Sequence, residues 1–222
     1  MKEARKRASN EKAFIVTSET QTGGRGTQGR SWEAPPGNLY TTLGVHRELV
    51  QKIQTKYLPL VVGTCLIDSI REWIYTEYHH HFHIKWPNDI LVKEKKVSGI
   101  LMESTAAHFL IGIGINVTKA PDLPSQERQA TTLVESGMEN TELRRQYMAR
   151  TILEKLLQML EKPFVTESFL EDWKTQVHWN MPLKMRALDN QICWPIDINS
   201  EGQLQVRDEK GQYHWLTSDY LV

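Results

Sequence analysis

Three groups of residues in this chain have the types and spacing to do chemistry. The first is TGGRGTQGRSW, Thr22 to Trp32, where Gly24, Gly26 and Gly29 spell G-x-G-x-x-G and Arg25 and Arg30 lie among them. Glycines let a backbone approach a ligand closely and turn its N–H groups toward an anion. Guanidinium forks match phosphate or carboxylate. The same spacing occurs in dinucleotide-binding folds, where the glycines follow a strand and open a helix. Here a strand-like run precedes, but Pro35-Pro36-Gly37 follows and cannot open a long helix, because proline restricts both itself and its predecessor. The dinucleotide reading fails on that context. Either an anion site or a surface loop with two solvated arginines remains, and the stretch alone does not choose.

The second group is IKWPNDILV, Ile84 to Val92, which packs Lys85, Trp86, Asn88 and Asp89 around Pro87. One cation, one aromatic plane, one amide and one carboxylate suit a ligand-facing turn; a proline turn with a core tryptophan is the plainer alternative. Asp89 is a candidate Mg²⁺ ligand, since that ion takes one or two carboxylates plus substrate phosphates, with Asn88 to orient it. The third group begins at Lys96. Lys93, Lys95 and Lys96 read most simply as a solvated hairpin tip. Lys96, however, stands at the mouth of the apolar run Val97 to Leu101, where Gly99 leaves room for a ligand. Gly112 and Gly114 thin a later strand in the same way, and Asn116 ends it with an amide.

These residues need a scaffold. Lys2 to Ala8 reads as the end of a helix, AFIVT (Ala13 to Thr17) as a buried strand, and Leu39, Thr41, Leu43 and Val45 as alternating strand positions. Leu58 to Tyr75 has the spacing of an amphipathic helix. FHIKW, DILVKEKKVSGILMES and HFLIGIGINV read as strands and a hairpin, and Leu143 to Leu160 and Phe169 to Val177 as helices. From Pro182 onward the pattern changes to short strands separated by turn signals at Asp189-Asn190, Ser200 to Gly202 and Glu209 to Gly211. The expected fold class is α+β: a mixed or antiparallel sheet with helices on one face, and a small β-barrel packed against it. The expected domains are 1–179 and 180–222. A unit of about 40 residues is too small for an independent core.

Composition narrows the partners. The 222 residues carry 27 Lys+Arg against 27 Asp+Glu, so no global basic field favours nucleic acid and any phosphate chemistry must be local. Cys65 and Cys193 lack metal-type spacing, which suggests a reduced, cytoplasmic protein. No apolar run approaches the ~20 residues needed to span a bilayer, so no membrane partner is expected. His79 to His83 (HHHFH) invites a metal reading, but adjacent positions in a loop-to-strand junction present no defined chelate. Trp173, Trp179, Trp194 and Trp215 are expected in core or interdomain packing.

In this order, QTGGRGTQGRSW, PPGNLYTT, KWPNDILV, KVSGIL and GIGINV closely resemble the biotin protein ligase family over roughly Ala13 to Val177. The tail IDINSEGQLQVRDEKGQYHWL resembles that family's small SH3-like C-terminal barrel, and the catalytic domain is of the class II aminoacyl-tRNA-synthetase-like kind. The resemblance implies a two-step reaction. Biotin's carboxylate attacks the α-phosphate of ATP, with Mg²⁺, to give biotinyl-AMP and pyrophosphate. A lysine of a biotin carboxyl carrier protein, a subunit of acetyl-CoA carboxylase, then takes the biotinyl group and releases AMP. It implies Lys96, Arg25 and Arg30 as the electrostatic catalysts, Lys96 foremost. It places Gln21, Gly24, Arg25, Gly26, Thr27, Lys96 and Gly99 at biotin, and Arg30, Trp32, Lys85, Asn88, Asp89 and Asn116 at ATP.

Two departures from the family pattern stand out. The family's first strand, with its Ser-Thr-Asn-type motif for biotin's ureido ring, has no counterpart before the helix at Lys2. Thr27 occupies a position where many relatives carry arginine, which suggests weaker retention of biotinyl-AMP. No basic recognition helix precedes Ala13, so a single-function ligase is expected over a DNA-binding one. A lipoate or octanoate ligase, sharing the fold and an equivalent lysine, is the rival enzyme; a non-catalytic carrier-binding module is the rival of another class. A homodimer through sheet edges stays open.

Overall fold

Alternation of large and small residues along the strands gives the central sheet two unlike faces. The computed structural model describes residues 1–8, 11–29, 31–121, 129–138, 142–185 and 188–217. The chain runs from helix α1 (Lys2–Arg7) into strand β1 (Ala13–Ser18), a hairpin of β2 (Gly24–Arg25) and β3 (Ser31–Trp32), and the long strand β4 (Leu39–His46). Helix α2 (Leu58–Arg71) precedes strands β5 (Phe82–Lys85), β6 (Asp89–Val92), β7 (Lys95–Ser104) and β8 (His108–Ile115). Helices α3 (Glu142–Glu161) and α4 (Thr166–Lys174) follow, then β9 (Leu183–Met185), β10 (Gln191–Ile198), β11 (Leu204–Asp208) and β12 (Tyr213–Leu216).

Six strands pair in the order β1-β4-β8-β7-β6-β5, with every neighbouring pair antiparallel. One face carries Leu43, Val45, Ile100, Met102, Ile111 and Ile113 into the main core, where α2 and α3 cover it. The opposite face carries Tyr40, Thr42, Gly99, Gly112 and Gly114 and is left open as a cavity floor. The expected helices on one face are α2 and α3. The short α1 is an addition on the other side, where Ala4 and Ala8 pack on Phe14 and Leu110. Helix α2 buries a wider face than its spacing suggests, leaving Thr64, Asp68 and Arg71 as a narrow polar stripe. Leu58, Leu60, Val61, Val62, Cys65, Leu66, Ile67 and Ile70 are all buried, because the helix is sandwiched between the sheet and α3. It also ends at Arg71, short of Tyr75, and α4 starts three residues before the expected Phe169.

The last four strands form an antiparallel meander, β12-β11-β10-β9, where the small C-terminal barrel is expected. Its turns use the anticipated positions: Asp189, Asn190, Gly202 and Gly211 all have positive φ. The expected boundary at 179/180 falls between α4 and β9, but the core is continuous across it. Leu183, Cys193, Ile198, Leu204 and Val206 belong to the same apolar cluster as the main sheet. Polar ties reinforce the junction: Lys56 pairs with Glu201 at 2.7 Å, Lys174 with Asp197 at 3.0 Å, and the Tyr57 hydroxyl donates to the Ser200 carbonyl. Trp173 is fully buried, whereas Trp215 stays 46% exposed, because alternation turns it outward beside Tyr213 on β12. Among the described residues no helix is long and apolar enough to cross a membrane.

Tyr57→Phe keeps the buried ring and removes its hydrogen bond to the C-terminal sheet. It should destabilise the fold by about 1 kcal/mol and lower Tm by about 2–4 °C, read by thermal unfolding.

Candidate functional site

One transverse row of the sheet gathers most of the expected chemistry. Cross-strand register aligns Ser18, Tyr40, Gly114, Gly99, Asp89 and Lys85 on six successive strands. Two small residues at the centre of the row leave a shallow floor, and the charged residues stand at one end. The cavity above it holds about 880 Å³ and is lined by Gln21, Arg25, Gly26, Thr27, Trp32, Asn88, Lys96, Gly99 and Asn116, among others. Gly24, Lys85 and Asp89, also expected at the site, stand behind this lining. Arg30 lies outside the described residues.

Lys96 reaches the floor through an irregularity in the sheet. Asp89 pairs with Gly99 and Ile90 with Ser98, but Leu91 pairs with Lys96, so one extra residue sits in β7. Strict alternation from Gly99 would send Val97 to the cavity and Lys96 to the core. The bulge reverses that: Val97 is fully buried in the core and Lys96 lines the cavity. The Lys96 backbone is held on its other edge, its N–H donating to the Gln129 carbonyl at 2.8 Å and its carbonyl accepting from the Thr131 N–H at 2.9 Å.

The Lys96 ammonium lies 2.6 Å from Asp89 Oδ1, and the Lys85 ammonium lies 3.2 Å from Oδ2. Burial pushes the Asp89 carboxyl up, but the two ammoniums more than offset this and hold it down at about 2. Asp89, the candidate Mg²⁺ ligand, lies between these two lysines. Each carboxylate oxygen faces an ammonium ion. The expected metal-orienting Asn88 is likewise engaged: its Nδ2 donates to the Ile100 carbonyl at 3.0 Å and closes the turn onto β7.

Trp32 covers the glycine pair. A Cβ at Gly99 would stand 3.0 Å from the indole, and one at Gly114 would stand 2.8 Å from it. Lys96 Nζ is 5.1 Å from the Trp32 ring centroid, within cation–π range. Trp32 Nε1 and Asn116 Oδ1 are buried without a hydrogen-bond partner among the described residues. An unpaired buried polar atom costs about 1–3 kcal/mol, so a ligand carrying complementary groups would recover that energy.

The glycine-rich stretch is a β-hairpin with a 3₁₀ tip, Thr27–Gly29, pairing Gly24 with Trp32 and Arg25 with Ser31. Gly24 is required by close approach, since a Cβ there would fall 2.3 Å from the Trp32 carbonyl oxygen. Arg25 is not an open fork. Its Nη2 donates to Glu103 Oε1 at 2.7 Å, and Arg5 takes Oε2 at 2.6 Å. Glu103 escaped the sequence reading, although an acid four residues beyond Gly99 in an apolar strand was its signal. Asn38 escaped it too: its Oδ1 accepts the N–H groups of Val117, Thr118 and Lys119 at 2.9–3.1 Å and fixes the chain just after Asn116. In the histidine run, His79 to His81 lie on a 3₁₀ turn with the His80 and His81 rings 3.8 Å apart, and the His83 ring stacks on His178.

The fold and cavity define an α+β domain with cations set over a glycine floor. The model of the biotin/lipoate A/B protein ligase family matches residues 1–117, and the chain belongs to that family. It is 33% identical over 125 residues to a biotin--[acetyl-CoA-carboxylase] ligase of Mycobacterium tuberculosis, covering 56% of this chain and 46% of that protein. The chain spans about half the length of the curated relatives it matches. A biotin protein ligase from Aquifex aeolicus in complex with biotin and ATP superimposes with a TM-score of 0.75 at 25% identity, covering 98% of this chain and 92% of that one. One from Leishmania major in complex with biotinyl-5-AMP gives 0.73 at 28%, covering 97% and 93%.

Asp89 sets a pH dependence. Its folded-state pKa, about 2, lies below the ordinary 3.8, so its stabilisation is complete above pH 4 and is lost as pH falls toward 2. A shift of that size corresponds to roughly 2 kcal/mol. Asp89→Asn should flatten the stability–pH curve between pH 4 and 2, measured by urea unfolding at each pH.

Proposed function

We propose that this chain activates biotin with ATP as biotinyl-5′-AMP and passes the biotinyl group to a lysine of a biotin carboxyl carrier protein. The observation that carries the reading is the Lys96 ammonium, brought onto the cavity floor by the β7 bulge and held there by Asp89. The structural relatives whose complexes contain biotin, ATP or biotinyl-5-AMP support the choice of ligands.

In the first step a biotin carboxylate oxygen forms a bond to the α-phosphorus and the bond to pyrophosphate breaks. Two anions must meet, so fixed cations have to offset their repulsion and the charge that grows on the phosphoryl oxygens. Lys96 is the group placed to do so, as an electrostatic catalyst rather than a nucleophile. In the second step the carrier amine attacks the acyl carbon, AMP leaves, and the amine gives up a proton. Trp32 and the hairpin shield the anhydride from water between the steps. Gln21, Gly26, Thr27 and Gly99 line the biotin end, with Gly24 shaping the hairpin; Trp32, Asn88 and Asn116 line the nucleotide end, with Lys85 and Asp89 bracing Lys96 from behind. The small C-terminal sheet, residues 180–222, acts as an appended unit on the catalytic domain 1–179. Mg²⁺ would arrive on the nucleotide phosphates, with Asp89 as the candidate carboxylate beside them.

Lys96→Ala should lower ATP-dependent biotin transfer to a carrier domain by about 10²-fold or more, the range for loss of a fixed charge-stabilising donor. Absence of transfer by the unaltered chain would overturn the reading. Pyrophosphate release with biotin but not with lipoate or octanoate selects between the family's two acid classes.

Thr27 lines the cavity at the hairpin tip. Thr27→Arg should slow release of preformed biotinyl-AMP by about tenfold, as expected for an added charge-assisted hydrogen bond, measured by single-turnover chase.

A further inference from the structure

We propose that Glu103 is the positioning residue of the glycine-rich hairpin. It holds Arg25, and with it residues 22–29, over the cavity floor, while Arg5 keeps the carboxylate paired whenever Arg25 turns to an anionic ligand. The ligand in this statement rests on the biotin-ligase reading; the tether does not.

The placement of Glu103 is the first ground. It projects from β7 on the cavity face, four residues beyond Gly99, and its side chain is only 6% exposed. A carboxylate so buried must be paired or lose its charge. Its two partners come from separate parts of the chain: Arg5 on α1 and Arg25 on β2. The hairpin is the second ground. Its strands are two residues each, too short to hold a conformation by backbone pairing alone. Trp32, on the Gly99–Gly114 pair, and Arg25, on Glu103, anchor it to the sheet. They grip the floor at separated points and fix the hairpin between them.

Charge count is the third ground. One carboxylate shared by two guanidiniums leaves a net charge of +1, which an incoming carboxylate or phosphate completes. Arg25 engages Glu103 through Nη2, and a guanidinium offers five N–H donors, so it can hold Glu103 and a ligand together or exchange one for the other. Arg5 makes the exchange tolerable, because Glu103 keeps one ion pair throughout.

The test uses the full chain as wild type, Glu103→Gln, Arg25→Ala, Arg5→Ala and the Glu103→Gln/Arg25→Ala double variant. Amide hydrogen exchange over residues 22–29, without ligand, reads the tether. Glu103→Gln and Arg25→Ala should each raise exchange there by about tenfold, the double variant no further, and Arg5→Ala much less, as contacting pairs are non-additive. Release of biotinyl-AMP should quicken by a similar factor in Glu103→Gln, and KM for biotin should rise while kcat changes little. Unchanged hairpin exchange in Glu103→Gln would overturn the proposal, even with a lowered Tm, because Glu103 would then be a structural ion-pair partner alone. If Glu103→Gln does not fold, unchanged exchange in Arg25→Ala, whose side chain is 58% exposed, overturns it instead. A wild type that binds neither biotin nor biotinyl-AMP removes the ligand reading and leaves the exchange comparison to decide the tether.

Discussion

Cations gathered at a half-enclosed cavity repel one another and must be held by counter-charge before any ligand arrives. The structure meets this constraint with two buried carboxylates on neighbouring strands, each serving two cations. Asp89 binds Lys85 and Lys96, and Glu103 binds Arg5 and Arg25. Each set of three side chains is left at +1, so a chain with 27 cationic and 27 anionic side chains still carries local positive charge at the cavity. Glu103 lies four residues along β7 from Gly99, the register partner of Asp89, which at strand rise is about 13 Å. The two carboxylates therefore sit toward opposite ends of the same sheet face, and of the cations they hold Lys96 and Arg25 line the cavity.

Backbone geometry decides which cations reach the floor. Register brings Lys85, Asp89, Gly99, Gly114 and Tyr40 into one row, and the row is useful because its central members have no side chains. A regular β7 would bury Lys96 against α2 and α3 and expose Val97. A single bulge exchanges the two, so the apolar side chain completes the core as the ammonium enters the site. Here the requirement of the core and the requirement of the chemistry are met by one irregularity.

Much of this was legible in the sequence, and the remainder was hidden for identifiable reasons. Gly99, Gly112 and Gly114 announced a thinned sheet face, because glycine inside an apolar strand has few other uses. Pro35 and Pro36 removed the helix that a dinucleotide fold needs. The turn signals at Asp189-Asn190, Gly202 and Gly211 fell at the observed turns, since positive φ restricts residue type. What stayed hidden depended on partners distant in sequence. Arg25 looked free because Glu103 is 78 residues away, and the pairing of Asp89 with Lys96 was hidden because the bulge that brings them together has no sequence signature. Helix α2 looked amphipathic because Thr64, Asp68 and Arg71 mark one polar stripe, while the width of the buried face depends on α3 packing over it.

The literal G-x-G-x-x-G illustrates how far a motif depends on its continuation. Glycines that open a helix bind an anion with backbone N–H groups and the helix dipole. In this chain they shape a hairpin instead. Gly24 lets the strand pass close to the Trp32 carbonyl, and Gly29, with φ of 74°, turns the tip. The positive charge of this stretch therefore sits on side chains, and side chains need anchoring that a helix N-terminus supplies by itself. That is why the hairpin is fastened at both ends, by an indole on paired glycines and by a guanidinium on a buried acid. The fastening transfers the rigidity of the six-stranded sheet to a loop that could not hold its shape alone.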